Sequence, residues 1–370
     1  MNILELCLSS GLGGLELYVY RTSAALCNKH SVTAVVLQDG KLDNYYREHS
    51  EIPRSYLKRK KSPLPISSAM KLAKIIDNNG IDIIHMHWGK DFALAALAKK
   101  LSKRKPKLVY TRQMMITRYK NDFYHRFLYA QLDLLLTITQ QLESLYDKFT
   151  PLDNSRIKTL YYGVKKPEQV LNANQISEAR SSKGFSKDDF VVGLFGRLED
   201  GKGQHLLIKA LARARDNGQT IKALIVGHEM DAGYLDTLKA LADSHGVSDR
   251  ITYNDFVTNP QELMQICDCL CLTTYEETFG LVLPEAMRAG IAVIGSDRGG
   301  VPEIIDHERT GLLFESMNEE SLYQQVIRLY EDPELKAGLA EQGKEKADSV
   351  FDNDTHFDQL EKILLGVLTE

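Results

Sequence analysis

The chain reads as an α/β protein made of two doubly wound parallel-sheet units. Three observations predict this. Short apolar runs alternate with helical stretches along the whole chain, the signature of strand–helix–strand units with both sheet faces covered. The alternation breaks once, over a polar stretch at residues 165–189 that holds Pro167, Asn172, Ser181 and Gly184, and then restarts. A length of 370 residues also exceeds what one ordinary core encloses.

The elements follow in order. Residues 3–8 form an apolar run, Ser10 to Gly14 a Gly-rich turn, and a helical stretch runs to about Asn28. Residues 32–37 read as the next strand. Residues 66–78 are helical, with Met70, Ala73 and Ile76 at helical spacing and Asn79-Gly80 as the stop. Residues 82–86 read as a strand, 92–101 as an Ala/Leu helix, and 107–111, 134–138 and 157–160 as further strands with helices between them. After the polar stretch, strands are expected at 190–195, 221–226, 250–253, 270–273, 292–295 and 311–314. Helices are expected at 204–214, 234–244, 320–330 and 333–349, and the last stretch to Glu370 is helical and apolar on one face. The expected division is residues 1–164 and residues 165–351, with a final helix from about 352 to 370 packing back on the first unit.

Composition narrows the function classes. Hydrophobic residues make up 43% and charged residues 26%, as in an ordinary soluble globular protein. The N-terminus has no basic segment, and Glu5 interrupts its apolar run, unlike a signal peptide. No apolar run reaches the roughly 18–20 residues of a membrane span. A cytoplasmic protein is expected, with contact at the inner face of the membrane left open. The five cysteines, Cys7, Cys27, Cys267, Cys269 and Cys271, form no CxxC, and the last three alternate along one strand. They read as reduced core thiols.

The net charge of −4 hides an asymmetry: residues 1–164 carry 25 Lys/Arg against 14 Asp/Glu, and the remainder 21 against 36. A basic first half and an acidic second half suit different partners. Lys58-Arg59-Lys60-Lys61 and the Lys/Arg-rich residues 99–107 concentrate the positive charge. A solvated basic surface explains them equally well.

The chemistry-bearing motifs all follow predicted strands, where open α/β sheets bind ligands. In Glu277-Thr278-Phe279-Gly280-Leu281-Val282-Leu283-Pro284-Glu285, Pro284 fits only the first turn of a helix, which leaves Glu277 in the loop before it. A loop carboxylate accepts hydrogen bonds from sugar hydroxyls, and one in a first turn accepts a pair from vicinal ribose hydroxyls. Backbone N–H groups near Phe279, Gly280 and Leu281 face an anion. Taken alone, Glu285 reads as well as a complement to the helix dipole.

Gly196-Arg197 and Gly201-Lys202-Gly203 place a planar guanidinium and a point charge in one Gly-rich loop, a combination suited to a diphosphate. Ser296 through Gly299-Gly300-Val301-Pro302-Glu303 reads as backbone packing beside that loop.

In the first half, Gly11-Leu12-Gly13-Gly14-Leu15-Glu16 has Glu where a dinucleotide fingerprint requires its third Gly. This disfavours a dehydrogenase. His85 and His87 share one strand face. That arrangement fits a metal pair, a buried structural pair or a sugar contact. Asp352-Asn353-Asp354 spells D-x-D, but Asp354 or Thr355 reads better as a helix N-cap than as a metal ligand.

Together and in this order, these motifs resemble the retaining GT-B glycosyltransferases of the large family of glycogen-, sucrose- and lipopolysaccharide-building enzymes, glycosyl transferases group 1. The matching residues are Gly13-Gly14, the His85-x-His87 strand end, Gly196-Arg197 with Lys202-Gly203, Glu277 through Glu285, and Gly299 through Glu303.

The resemblance implies two Rossmann-like domains facing a central cleft. It implies a nucleotide-diphosphate sugar as donor substrate, with no cofactor and no metal. Arg197 and Lys202 would hold the diphosphate and Glu285 the ribose. Glu277 would hold the transferred sugar, with Phe279, Gly280 and Leu281 close by. His87 would contact the sugar near the reacting centre. Gly13 and Gly14 would close on the diphosphate, and the base would lie near Phe256-Val257 and beside Gly227-His228. Retention without a covalent nucleophile is implied. Tyr161-Tyr162-Gly163-Val164 departs from the Pro-Asn-Gly-Val common in relatives.

Arg112 and Gln113 mark the expected acceptor side. The tract from Arg112 to Arg126 looks like that of lipopolysaccharide-core transferases, so a glycan or anionic glycolipid acceptor is expected, with no nucleic acid partner. A sugar-nucleotide epimerase, a transferase acting on a soluble sugar and a non-catalytic binding module are the competing readings.

Overall fold

The computed structural model describes residues 1–58 and 62–369. The cluster Arg59, Lys60 and Lys61 thus lies outside the described residues, and of that basic run only Lys58 is seen. Two compact units emerge: Met1–Tyr161 with the residues from Asp354 onward, and Tyr162–Asn353.

The first unit holds a parallel sheet of seven strands: β1 (Asn2–Cys7), β2 (Ser31–Val36), β3 (Arg54–Tyr56), β4 (Ile83–Met86), β5 (Lys107–Arg112), β6 (Leu134–Thr137) and β7 (Ile157–Thr159). Their order is β3-β2-β1-β4-β5-β6-β7. Strand β1 lies between β2 and β4 and is buried from Ile3 to Cys7. Its near-continuous apolar run is what a strand covered on both faces requires. The helix Asn353–Thr369 closes this unit, burying His356, Phe357, Leu360, Leu364 and Val367. Tyr18 donates its hydroxyl to His356 Nε2 at 3.0 Å, and His356 Nδ1 lies 2.7 Å from the Tyr161 carbonyl.

The second unit holds six parallel strands: β8 (Phe190–Phe195), β9 (Ile221–Val226), β10 (Ile251–Asn254), β11 (Cys269–Leu272), β12 (Ala292–Ser296) and β13 (Leu312–Phe314). Their order is β10-β9-β8-β11-β12-β13. Its core combines Val192, Leu194, Ile225, Cys269, Cys271 and Ile294 with helix residues such as Leu207, Leu211 and Leu322. Cys7, Cys267, Cys269 and Cys271 are buried free thiols, and Cys27 is an exposed one.

In each sheet the chain order reverses beside the first strand of the unit: between β1 and β4, and between β8 and β11. At such switch points the loops leave in opposite directions and open a crevice for ligands.

Three local expectations need correction. The helix Lys41–His49 and strand β3 are absent from the sequence reading. The helix turns Asp43, fully buried, inward, where it takes Arg47 Nη2 at 2.7 Å, so an ion pair fills a position that hydrophobic patterning cannot detect. The polar stretch 165–189, where the sequence reads as a break in the alternation, is not without structure. It carries the helix Ala173–Ser182, held to the second unit by Arg180 on Asp268 at 2.7 Å and on the Ile266 carbonyl at 2.8 Å. Finally, the last helix begins at Asn353, which puts Asp354 in its first turn and not at the cap. Asp352, the other end of the D-x-D string, accepts from the buried Arg288 at 3.0 Å.

Candidate functional site

The loops after β8, β11 and β12 meet at the switch point of the second sheet. Lys202 and Glu277 approach there: Lys202 Nζ donates to Glu277 Oε2 at 2.7 Å, and both side chains are about one-fifth exposed. The backbone around each is locked to its neighbour. Thr273, at the end of β11, donates its hydroxyl to the Lys202 carbonyl at 2.7 Å, and Tyr275 N–H reaches the Gly201 carbonyl at 3.1 Å. Gly203 has φ of +70°, and a Cβ there would lie 2.3 Å from the Thr273 carbonyl oxygen. No other residue type fits that approach.

On the other side, Glu277 forms a parallel bridge with Gly299, and Gly300 N–H donates to the Glu277 carbonyl at 2.8 Å. Gly299 has φ of +65°, and a Cβ would stand 2.0 Å from that carbonyl oxygen. The Gly299-Gly300 pair is thus a clasp on the backbone of Glu277.

Arg197 is half exposed and pairs with Glu199 at 2.9 Å. Its own carbonyl is held by the buried Gln204 at 2.8 Å. The helix Val282–Arg288 carries Glu285, half-buried, in its first turn. Gln261 spans the Glu285 and Lys165 carbonyls at 3.2 and 3.1 Å. Phe279 is buried and packs edge-on against Tyr162 and Phe351, so its ring is structural. The N–H groups of Gly280 and Leu281 have no partner among the described residues. Phe256, beside Val257, is exposed and meets the His228 ring edge-on. Arg197, Lys202, Glu277, Glu285 and Val257 are thus all carried by loops or helix starts that follow strands of one sheet.

At the switch point of the first sheet, Gly13 caps the helix Gly14–Leu26, and Glu16 Oε2 accepts the Gly13 N–H at 2.9 Å. The residue that breaks the dinucleotide fingerprint therefore shapes the loop itself. Next to it, Glu5 of β1 stands in register with His85 of β4. Glu5 is fully buried and bonds both histidines: Oε1 to His85 Nδ1 at 3.1 Å and Oε2 to His87 Nε2 at 2.6 Å. His85 Nε2 meets the Thr111 hydroxyl at 2.7 Å.

Burial works to raise the Glu5 carboxyl, but the two imidazoles overcome it and hold the group down at about 2. Burial, helped by the neighbouring His85, pushes His87 down to about 4. Strand parity does place the histidines together, their rings 4.2 Å apart. Glu5, His85 and His87 are the one trio of metal-capable side chains found among the described residues. Direct hydrogen bonds satisfy both carboxylate oxygens of that trio without an ion.

Sequence reasoning missed Glu5 and Thr111. The signal for Glu5 was a charged residue inside an otherwise apolar strand, two residues from either end of the buried run.

Arg112, at the end of β5, donates to Tyr110 Oη at 2.7 Å and to the Met114 and Met115 carbonyls at 2.6 and 2.9 Å. Its guanidinium lies against Gly89, where a Cβ would come within 2.6 Å. Gln113 Nε2 is buried without a partner among the described residues. Burial, together with Arg112 and Arg118, lowers the Lys120 ammonium. Phe123 is 89% exposed, and Ile66, Met70, Met114 and Tyr119 are exposed too. No helix among the described residues is long and apolar enough to cross a membrane.

Comparison with known proteins gives two matching families. Residues 175–346 match Glycosyl transferases group 1, and residues 12–166 match Glycosyltransferase Family 4. The chain is 27% identical over 315 residues to N-acetyl-alpha-D-glucosaminyl L-malate synthase of Bacillus anthracis, covering 83% of this chain and 81% of the relative. It is 26% identical over 381 residues to N-acetylgalactosamine-N,N'-diacetylbacillosaminyl-diphospho-undecaprenol 4-alpha-N-acetylgalactosaminyltransferase of Campylobacter jejuni, covering 97% and 98%. In structure it resembles Anabaena HepE, solved in complex with UDP, with a TM-score of 0.88 at 23% identity over 99% of this chain and 100% of that one.

Proposed function

Since the chain is a glycosyltransferase of the GT-B type, with a glycosyl transferases group 1 domain following a family 4 domain, we propose that it moves a sugar from a nucleotide diphosphate to a glycan or anionic glycolipid with retention of anomeric configuration. The observation that carries this reading is the Lys202–Glu277 pair at the switch point of the second sheet. A nucleotide sugar brings a diphosphate, which takes the ammonium, and sugar hydroxyls, which take the carboxylate. Arg197 adds a second cation, Glu285 takes the ribose hydroxyls, and the base lies near Val257. The UDP bound by Anabaena HepE supports a nucleotide ligand in this fold.

The acceptor hydroxyl attacks the anomeric carbon on the face the diphosphate leaves. The C1–O bond to phosphate breaks as the new C1–O bond forms, and the hydroxyl proton passes to the departing phosphate oxygen. Arg197 and Lys202 stabilise the charge that develops there, so positioning and fixed charge supply the catalysis without a divalent ion. His87, Gly13 and Gly14 complete the donor contacts.

The first unit, with Arg112 and Gln113, takes the acceptor. Its basic balance and exposed Phe123 suit an anionic surface, so the protein works in the cytoplasm, peripheral to the membrane, in lipopolysaccharide or other cell-surface glycan assembly. The Campylobacter jejuni relative, whose name gives a diphospho-undecaprenol substrate, supports this. The Bacillus anthracis relative, a synthase of a glucosaminyl malate, favours a second reading with a small soluble acid as acceptor.

The test is a thermal-shift panel of UDP, GDP and ADP and their sugars, followed by transfer in EDTA and NMR of the product anomer. A true ligand at 100 times its Kd raises stability by about 2.7 kcal/mol. Absence of any shift, or an inverted product, sinks the reading.

A further inference from the structure

Glu5 poses a problem that the fold does not solve. A buried ionised carboxylate is costly, and apolar residues would pack a central strand at least as well. Its position is specific: each oxygen takes a different histidine. A carboxylate only accepts, so both facing nitrogens carry hydrogen. His85 is then saturated, since its remaining nitrogen meets Thr111. His87 is not. Its Nδ1 is buried with no partner among the described residues. Tyr18 packs edge-on against the His87 ring at 5.7 Å and is itself fixed through His356, which limits how the imidazole turns.

We propose that Glu5 is a positioning residue for sugar transfer: it holds His87 as the Nε2–H tautomer, leaving Nδ1 as the one atom of the ring that can accept a hydrogen bond from a hydroxyl of the bound sugar. The inference rests on the reading that His87 contacts the sugar. It adds the group that sets which nitrogen does so. Carboxylate–histidine pairs fix imidazole tautomers in this way at metal and catalytic sites.

Two measurements test it. In the free protein, nitrogen-15 NMR of the imidazoles is expected to show His87 protonated at Nε2 near neutral pH, and E5Q is expected to populate the other tautomer. A wild-type His87 protonated at Nδ1 overturns the proposal whatever the variants do. The second is a mutant cycle of E5Q, H87A and the double variant, using the nucleotide sugar that the panel selects. E5Q is expected to lower kcat about 10- to 100-fold, the scale for an outer partner of a functional imidazole, with the nucleotide-diphosphate Kd unchanged. In the H87A background, E5Q is expected to cost nothing more, because it acts through His87. Full multiplication of the two losses overturns the proposal, as does an E5Q enzyme at wild-type rate beside an impaired H87A. If H87A itself works at wild-type rate, the underlying reading of His87 fails instead.

Discussion

Lys202 Nζ and Glu277 Oε2 lie 2.7 Å apart, so the cation proposed for phosphate and the carboxylate proposed for sugar satisfy each other in the free protein. A ligand entering here must exchange both partners at once. Neither charge waits unpaired in a half-buried site, where it would be costly.

That pairing separates the two residues by experiment. E277Q releases the ammonium without removing it, so nucleotide-diphosphate affinity is expected to hold or rise. Turnover is expected to fall about 10²- to 10³-fold, the scale for one preorganised polar contact. Calorimetry and transfer rates on the same preparation check both halves, and a wild-type turnover rate refutes the assignment of Glu277.

K202A and R197A are expected to weaken nucleotide-diphosphate binding, each by roughly 1.5–3 kcal/mol for a lost charge-assisted contact. Arg197 is half exposed, which puts its effect at the lower end. Unchanged affinity in both variants excludes the diphosphate clamp.

G299A tests the clasp. A methyl at 2.0 Å from the Glu277 carbonyl, on a backbone at φ of +65°, is expected to cost on the order of 1–3 kcal/mol in stability. Turnover falls as well, because Glu277 moves. Thermal melting alongside activity separates the two, and an inactive variant with an unshifted melting point implies that the loop moved without strain.

Acid stability follows from buried groups of the first unit. His87 and His356 are both pushed down to about 4, chiefly by burial. Between about pH 6.5 and 4 the unfolded chain therefore binds protons that the folded one refuses, and stability falls as pH falls. Glu5, held at about 2, adds stability that is full above about 4.5 and disappears as pH drops through 2. All three have the same sign, each contributing on the order of 1–3 kcal/mol. Denaturant midpoints between pH 7 and 4 are expected to decline, and less steeply in an H87N/H356N double variant. Equal slopes contradict the assignment.

Reversing Lys58, Arg59, Lys60 and Lys61 to Glu is expected to reduce binding to anionic vesicles, by about 1 kcal/mol per basic residue near the surface, with nucleotide affinity untouched. Flotation with vesicles of increasing anionic lipid measures this. A wild type that ignores such vesicles at low salt removes the membrane from the acceptor reading.

The strands were legible because both sheets are covered on two faces, and such strands write themselves as apolar runs. The motifs were legible because glycines and charges sit directly after those runs. What escaped reading is what polar burial conceals. Asp43 faces inward on an ion pair, so the helix carrying it buries a charge beside Leu42 and Tyr46, which blurs its short apolar stripe. Glu5 showed in the sequence only as an interruption, and its partners stand 80 and 82 positions away, a pairing that only the sheet register brings about. The exchange between Lys202 and Glu277, 75 positions apart, escaped reading for the same reason.

The helix Asn353–Thr369 belongs to the first unit, although the entire second unit precedes it in the chain. A ribosome delivers the seven strands of the first sheet before any strand of the second, yet Tyr18 meets His356 only after the whole second unit has been made. The second unit is complete in the nascent chain while the first still exposes the apolar seat of Phe357, Leu360 and Leu364. The late-encoded half is therefore the first able to finish folding. A chain cut short just after Asn353 leaves its damage in the half encoded furthest from the cut.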